Sequence, residues 1–122
     1  MLATQGTINA GIYQQICRQC KIDCVVPDNL NQNIVTSIIQ AVKNNDLVLA
    51  RLLAKKIDTK INKVGCDAVI LACTELPIVR NELTPNGCMA IDTLDVLADA
   101  CVAYTKTVRL KEKVNDTRPI YA

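Results

Sequence analysis

The chain has 122 residues, half of them apolar, and a formal net charge of +2; this is enough for one domain with a real core and too little for two ordinary ones. Lys and Arg are scattered, and the only aromatics are three Tyr, so there is neither a phosphate-tracking stripe nor a base-stacking platform, and no nucleic acid partner is expected. No apolar run reaches the length of a membrane span and no basic-then-apolar leader opens the chain, so the expectation is a cytoplasmic protein with no membrane partner.

Residues 1–4 read as the end of a strand entering a polar turn, Gln5-Gly6-Thr7, and a helix over about 8–20 follows. A domain that opens inside a strand is expected to have an element upstream of it. A short strand, Ile22 to Val26, stops at Pro27, which cannot donate to a ladder. Asp28 is placed to cap the next helix, whose apolar face is Leu30, Ile34, Val35, Ile38, Ile39 and Val42, with Asn44-Asn45 as its breaker. Asp46 caps a further helix with Leu49, Leu53, Ile57, Ile61 and Val64 at helical spacing, and Gly65 occupies the C-terminal cap position. Ala68 to Ala72 is a fully apolar strand ending at Cys73; a loop with Pro77, Pro85 and Gly87 leads to the strand Met89 to Ile91. Asp92 or Thr93 caps a last helix over 93–109, with Leu94, Leu97, Cys101, Tyr104 and Val108 on one face, and 110–122 form a polar tail.

Strands alternating with helices predict an α/β domain over residues 1–109, with about four parallel strands flanked by helices on both faces. The aliphatic, nearly aromatic-free palette suits such strands, which are buried on both sides.

Seven cysteines is an odd number, and a core this apolar does not need a disulfide framework; reduced thiols packing as small hydrophobes fit better. Histidine is absent, which removes Ser-His and Cys-His nucleophile pairs, imidazole bases and His metal ligands. Proton transfer near neutral pH must fall to Cys, Asp, Glu, Lys or Tyr. Cys17-x-x-Cys20 with Cys24 spans a helix end and a strand, with no second Cys pair at ribbon spacing; it reads as structural, and no metal site is expected. Cys66, Cys88 and Cys101 have no partner motif.

In a parallel sheet, ligands gather beyond the carboxyl ends of the strands. Two polar turns occupy that position: Thr4-Gln5-Gly6-Thr7 and Cys73-Thr74-Glu75. Each offers hydroxyls and backbone N–H groups near a helix start, an arrangement that holds a carboxylate or phosphate. Gly6 lets a backbone approach an anion closely. Each residue also has a plain structural reading: Thr4 and Thr7 as turn and cap residues, Glu75 as an acid favouring a helix start, Cys73 as a buried strand-end cysteine.

Leu2-Ala3-Thr4-Gln5-Gly6-Thr7 resembles the Leu-Ala-Thr-x-Gly-Thr segment that opens the second domain of aspartate/glutamate racemases. The run from Gly65 through Cys73-Thr74-Glu75-Leu76-Pro77 is similar to that family's second catalytic motif. Val26-Pro27-Asp28 followed by Gln32, and Ile91-Asp92 before the last helix, fit in the same order, so the match covers residues 2–105. The resemblance implies one domain of a two-domain fold and a racemase working without pyridoxal phosphate or other cofactor. Two thiols on opposite faces of the substrate α-carbon remove and return the proton. By that match Cys73 is one acid/base, and amides at a helix start favour its thiolate form. Thr74 and Thr7 hold the α-carboxylate of aspartate, glutamate or a related amino acid, while Thr4 and Gly6 shape the turn beside it. The family's other cysteine lies in a Cys-Asn-Thr motif of the first domain, which this sequence does not contain, and the last helix normally packs toward that domain. The implied partner is therefore a separate N-terminal half or another copy of the chain in a homo-oligomer. The competing reading is a catalytically incomplete fragment, or a non-catalytic carboxylate-binding or interaction module.

Overall fold

The computed structural model of the protein describes residues 1–85 and 87–115. The chain runs β1 (Leu2–Ala3), α1 (Gln5–Ala10), α2 (Ile12–Gln19), α3 (Asn29–Lys43), α4 (Leu47–Val64) and β2 (Ala68–Ala72). A short 3₁₀ turn, Leu76–Val79, then leads through α5 (Arg80–Leu83) to β3 (Met89–Asp92) and α6 (Thr93–Asn115). The described strands form one parallel sheet in the order β1-β2-β3. Leu2 pairs with Leu71 and Ala3 with Ala72, and on the other side Ala68 to Leu71 pair with Met89 to Asp92.

Alternation along the strands divides the core. Leu2, Val69 and Leu71 point into the main cluster, with Val35, Ile38 and Ile39 of α3, Ala50, Ala54 and Ile57 of α4, and Leu76, Val79 and Leu83 beyond β2. Ala3, Ile70 and Ala72 face the other way, onto Ile8, Tyr13, Cys24 and Val26. The sheet thus has helices on both faces; its central strand is buried toward α3 and α4, while Ala68 and Ile70 on the other face are half-buried.

The caps fall where the side chains dictate. Asp28 accepts from the Asn31 N–H at 2.8 Å to start α3, and Asp46 accepts from the Leu49 N–H at 3.0 Å to start α4. Between them Asn45 takes a left-handed turn at φ 59°, and Gly65 ends α4 at φ 72°. The buried face of α4 is Ala50, Ala54, Ile57 and Ile61, rotated from the larger-residue stripe, because alanines let α3 and α4 approach closely while Leu49 and Val64 stay about half exposed. Leu30 is likewise exposed.

Three expectations change. The helix over 8–20 is two helices, since Gly11 at φ 69° closes α1 and opens α2. The fourth strand is not part of the sheet among the described residues: 22–28 have no regular structure. There β1 offers only two ladder residues, and the backbone link to the segment is the Met1 ammonium donating to the Val25 carbonyl at 2.6 Å. The last helix continues past 109 to Asn115, because nothing between 110 and 115 is a helix breaker; the rest of the polar tail, 116–122, lies outside the described residues. Among those described, no helix is long and apolar enough to cross a membrane.

Candidate functional site

Parallel pairing brings the two polar turns together. Ala3 stands opposite Ala72 at the carboxyl ends of β1 and β2, so Thr4 and Cys73 follow at the same level on neighbouring strands. β3 ends beside them at Asp92, opposite Leu71. Thr93 then donates its hydroxyl to the Leu71 carbonyl at 3.1 Å, and Asp92 accepts from the Leu94 N–H at 2.9 Å to start α6. Three chain reversals therefore share one edge.

Thr4 is the N-cap of α1, accepting from the Thr7 N–H at 3.2 Å, and the two Thr hydroxyls lie 3.0 Å apart. Both are part-buried and Gly6 is exposed. A Cβ on Gly6 meets only the Thr4 hydroxyl, at 3.9 Å, so the fold itself does not require glycine there. Behind the turn, buried Gln32 donates its amide to the Ala3 carbonyl at 2.9 Å and ties α3 to the end of β1. Its own carbonyl oxygen has no partner.

Across the edge, the part-buried Cys73 thiol donates to Glu75 Oε2 at 2.9 Å, and the exposed Thr74 hydroxyl donates to the same oxygen at 2.9 Å. The second carboxylate oxygen faces Lys43 Nζ at 3.8 Å. Burial pushes the Cys73 thiol above its ordinary value, and the hydrogen bond to Glu75 adds to the shift. Glu75 is held below the usual carboxylate range, first by the bond that Cys73 donates to it. These directions agree: proton on sulfur, charge on Glu75. The Glu75 backbone N–H does favour the thiolate, as expected of an amide at a helix start, but burial and the hydrogen bond to the Glu75 carboxylate outweigh it. The turn after Cys73 is a 3₁₀ element of four residues that Glu75 does not cap with its side chain, and the thiol faces a carboxylate instead.

Lys43 was not legible as a site residue. It sits in the last turn of α3, far from the motif in sequence, and reaches Glu75 only because α3 runs toward the carboxyl edge. The remaining cysteines lie elsewhere. Cys66 and Cys88 precede β2 and β3 at the opposite edge, Cys17 is buried on α2 beside Cys24, and Cys20 and Cys101 are exposed. Among the described residues no three His, Cys, Asp or Glu converge as a metal-binding group. A cleft of about 270 Å³ at that opposite edge is lined mainly by aliphatic residues, including Met1, Val26, Ile57, Ile61 and Val69. It contains none of the motif residues of the two turns.

A parallel α/β sheet with thiol and hydroxyl groups gathered at its carboxyl edge defines a class of small-molecule site. Residues 1–101 match the Asp/Glu/Hydantoin racemase family, and the chain belongs to it. It is similar to a glutamate racemase of Glaesserella parasuis serovar 5 (strain SH0165), 27% identical over 119 residues, covering 95% of this chain and 43% of that protein. It is also similar to an uncharacterised protein in the pnlA 3′ region of Pectobacterium carotovorum subsp. carotovorum. That relative is 37% identical over 82 residues, which is 67% of this chain and 55% of the relative. The chain spans about half the length of these curated relatives.

Proposed function

We propose that this chain carries one half of a cofactor-independent amino-acid racemase site for aspartate, glutamate or a related substrate, with Cys73 as one of two acid/base thiols. The observation that carries this reading is the Cys73 thiol hydrogen-bonded to Glu75 at the edge shared with the Thr4–Thr7 turn. Family membership supports the reaction class.

In this reading the resting Cys73 is the proton donor. A thiolate from outside the described residues takes the α-proton from one face of the substrate. The Cys73 S–H bond breaks toward the other face, leaving the product inverted and Cys73 as thiolate. In the reverse direction the roles exchange. Glu75 keeps the sulfur protonated between turnovers, and Lys43 balances the carboxylate. The Thr74 and Thr7 hydroxyls receive the substrate carboxylate, with Thr4 fixing Thr7 and Gly6 leaving room for close approach. The partner that completes the site is a complementary N-terminal half or a second copy.

The test is proton NMR of L-aspartate and L-glutamate in heavy water, following α-proton loss and D-isomer formation, with Cys73→Ser as control. Exchange that disappears in the variant supports the reading. Unchanged α-proton signals with the complementary half supplied would sink it and leave a carboxylate-binding module.

A further inference from the structure

The chain doubles back on itself at the end of α2. Cys20 closes the helix, Lys21 takes a left-handed conformation at φ 58°, and the Ile22 N–H donates to the Cys17 carbonyl at 2.8 Å. The return lays Cys24 beside Cys17. Both are free thiols, Cys17 buried and Cys24 part-exposed, whereas Cys20 between them is exposed. Cys24 also lines an open pocket of about 380 Å³ whose other walls are Gln14, Arg18, Lys21, Ile22 and Asp23. Two cations against one carboxylate leave that pocket positive. A dithiol exchange pair needs an entry sulfur within reach of its reactant and a second sulfur close behind it. Cys24 and Cys17 have that arrangement, and neither belongs to the candidate site.

We propose that Cys17 and Cys24 interconvert between dithiol and disulfide by exchange with a small anionic disulfide, of the class of oxidised glutathione, that enters this pocket. A Cys24 thiolate, its proton released to water, attacks one sulfur of the bound disulfide. That S–S bond breaks, and one glutathione leaves as thiolate. Cys17, its proton released likewise, attacks the Cys24 sulfur, and the second glutathione leaves. Each departing thiolate takes up a proton, so the chain loses two electrons and two protons and the glutathione disulfide gains both. Burial holds the Cys24 thiol above its ordinary value, so exchange depends on residence of the disulfide in the pocket rather than on a reactive thiolate. Cys24 and Val26 pack with Ile8 and Tyr13 against Ala3 and Ala72, the residues that precede Thr4 and Cys73. The new bond therefore fastens α2 to the strap beneath both turns. The pair stands independently of the racemase reading.

The test incubates the full chain with oxidised glutathione, blocks remaining thiols with iodoacetamide and digests with trypsin without reduction. Trypsin cuts after Arg18 and Lys21, so Cys17, Cys20 and Cys24 fall in separate peptides. Mass spectrometry should find the Cys17 peptide linked to the Cys24 peptide. In Cys17→Ala, Cys24 should instead retain a glutathione adduct, and in Cys24→Ser, Cys17 should stay a free thiol. Circular dichroism should show both variants folded. Cys20→Ser, at an exposed position, should still form the linkage and keeps the test open if either of the others unfolds. Relative to their rates with free cysteine, oxidised glutathione should outpace the cationic disulfide cystamine by about tenfold at low salt, and the gap should narrow as salt rises. Equal relative rates at low salt overturn the anionic ligand. A Cys20 linkage in the parent, or Cys17 and Cys24 both free after the exposed thiols have reacted, overturns the pair.

Discussion

Leu71→Ala probes the strand on which the candidate site depends. Leu71 is fully buried on β2, the central strand, paired with Leu2 on one side and Asp92 on the other. Its carbonyl takes the Thr93 hydroxyl, and Cys73 lies two residues on. Truncation removes several methylene groups and leaves a cavity between the sheet and the α3–α4 layer, at a cost of about 3–4 kcal/mol. A chain of this length has a total stability of roughly 6–18 kcal/mol, so the loss is a large share of the whole. It corresponds to a fall in melting temperature of about 10–20 °C. Leu52→Ala makes the same chemical change on α4 where the side chain is 57% exposed, and its effect should stay within about 0.5 kcal/mol. Urea titration of the two variants beside the parent measures both. The protein should be dilute, so that any self-association does not contribute. Equal losses in the two variants, or a loss below about 1 kcal/mol in Leu71→Ala, would refute the placement of the core.

Glu75→Gln removes the charge that holds the proton on Cys73, so the pH at which iodoacetamide labels Cys73 should move down, as followed by mass spectrometry of its peptide; an inflection that does not move removes Glu75 from the site. The sign on stability is separate. Because Glu75 is held below its ordinary range, its contribution is present above the unfolded carboxylate value and disappears as pH falls through the folded one. Acid titration of the parent should therefore be flatter in Glu75→Gln. Asp46→Ala deletes the acceptor for the Leu49 N–H and should cost about 1 kcal/mol in thermal denaturation. Gly65→Ala places a side chain at φ 72° with no heavy atom within 4 Å of the new Cβ. Its cost is backbone strain alone, about 1–2 kcal/mol, and a neutral result would show that α4 ends differently.

What the sequence conveyed well was local. Asp28, Asp46 and Gly65 announce helix ends through hydrogen bonds or a backbone conformation that the residue itself governs, and they sit at those ends. Ala68–Ala72 forms a strand over the expected residues because an uninterrupted apolar run has nowhere else to be satisfied. Apolar periodicity misled where side-chain size competes with distance. On α4 the alanines face α3 and the larger Leu49 turns outward, since close packing of two helices favours small residues. The Ile22–Val26 segment has a strand's composition, but ladder formation depends on a partner, and β1 supplies two residues. At the site, the turns at Thr4 and Cys73 were legible, together with their common edge. The charge on Glu75 and the reach of Lys43 were not, because both follow from how α3 crosses the sheet.

The state of Cys73 bears on how such a site divides its labour. A thiol poised for proton abstraction needs a depressed pKa, and burial beside a carboxylate does the reverse. Reprotonating a carbanion needs the opposite, a sulfur that keeps its proton until the substrate demands it. Asymmetry of this kind suits a reaction in which one sulfur must be charged and the other neutral at each turnover. The sheet makes the asymmetry durable. Leu71 and Leu2 fix the register, Gln32 pins the end of β1 and Thr93 pins the end of β2, so the thiol and the hydroxyl turn stand as one wall. On the proposed function, the complementary thiol would stand opposite this wall and carry the opposite protonation state.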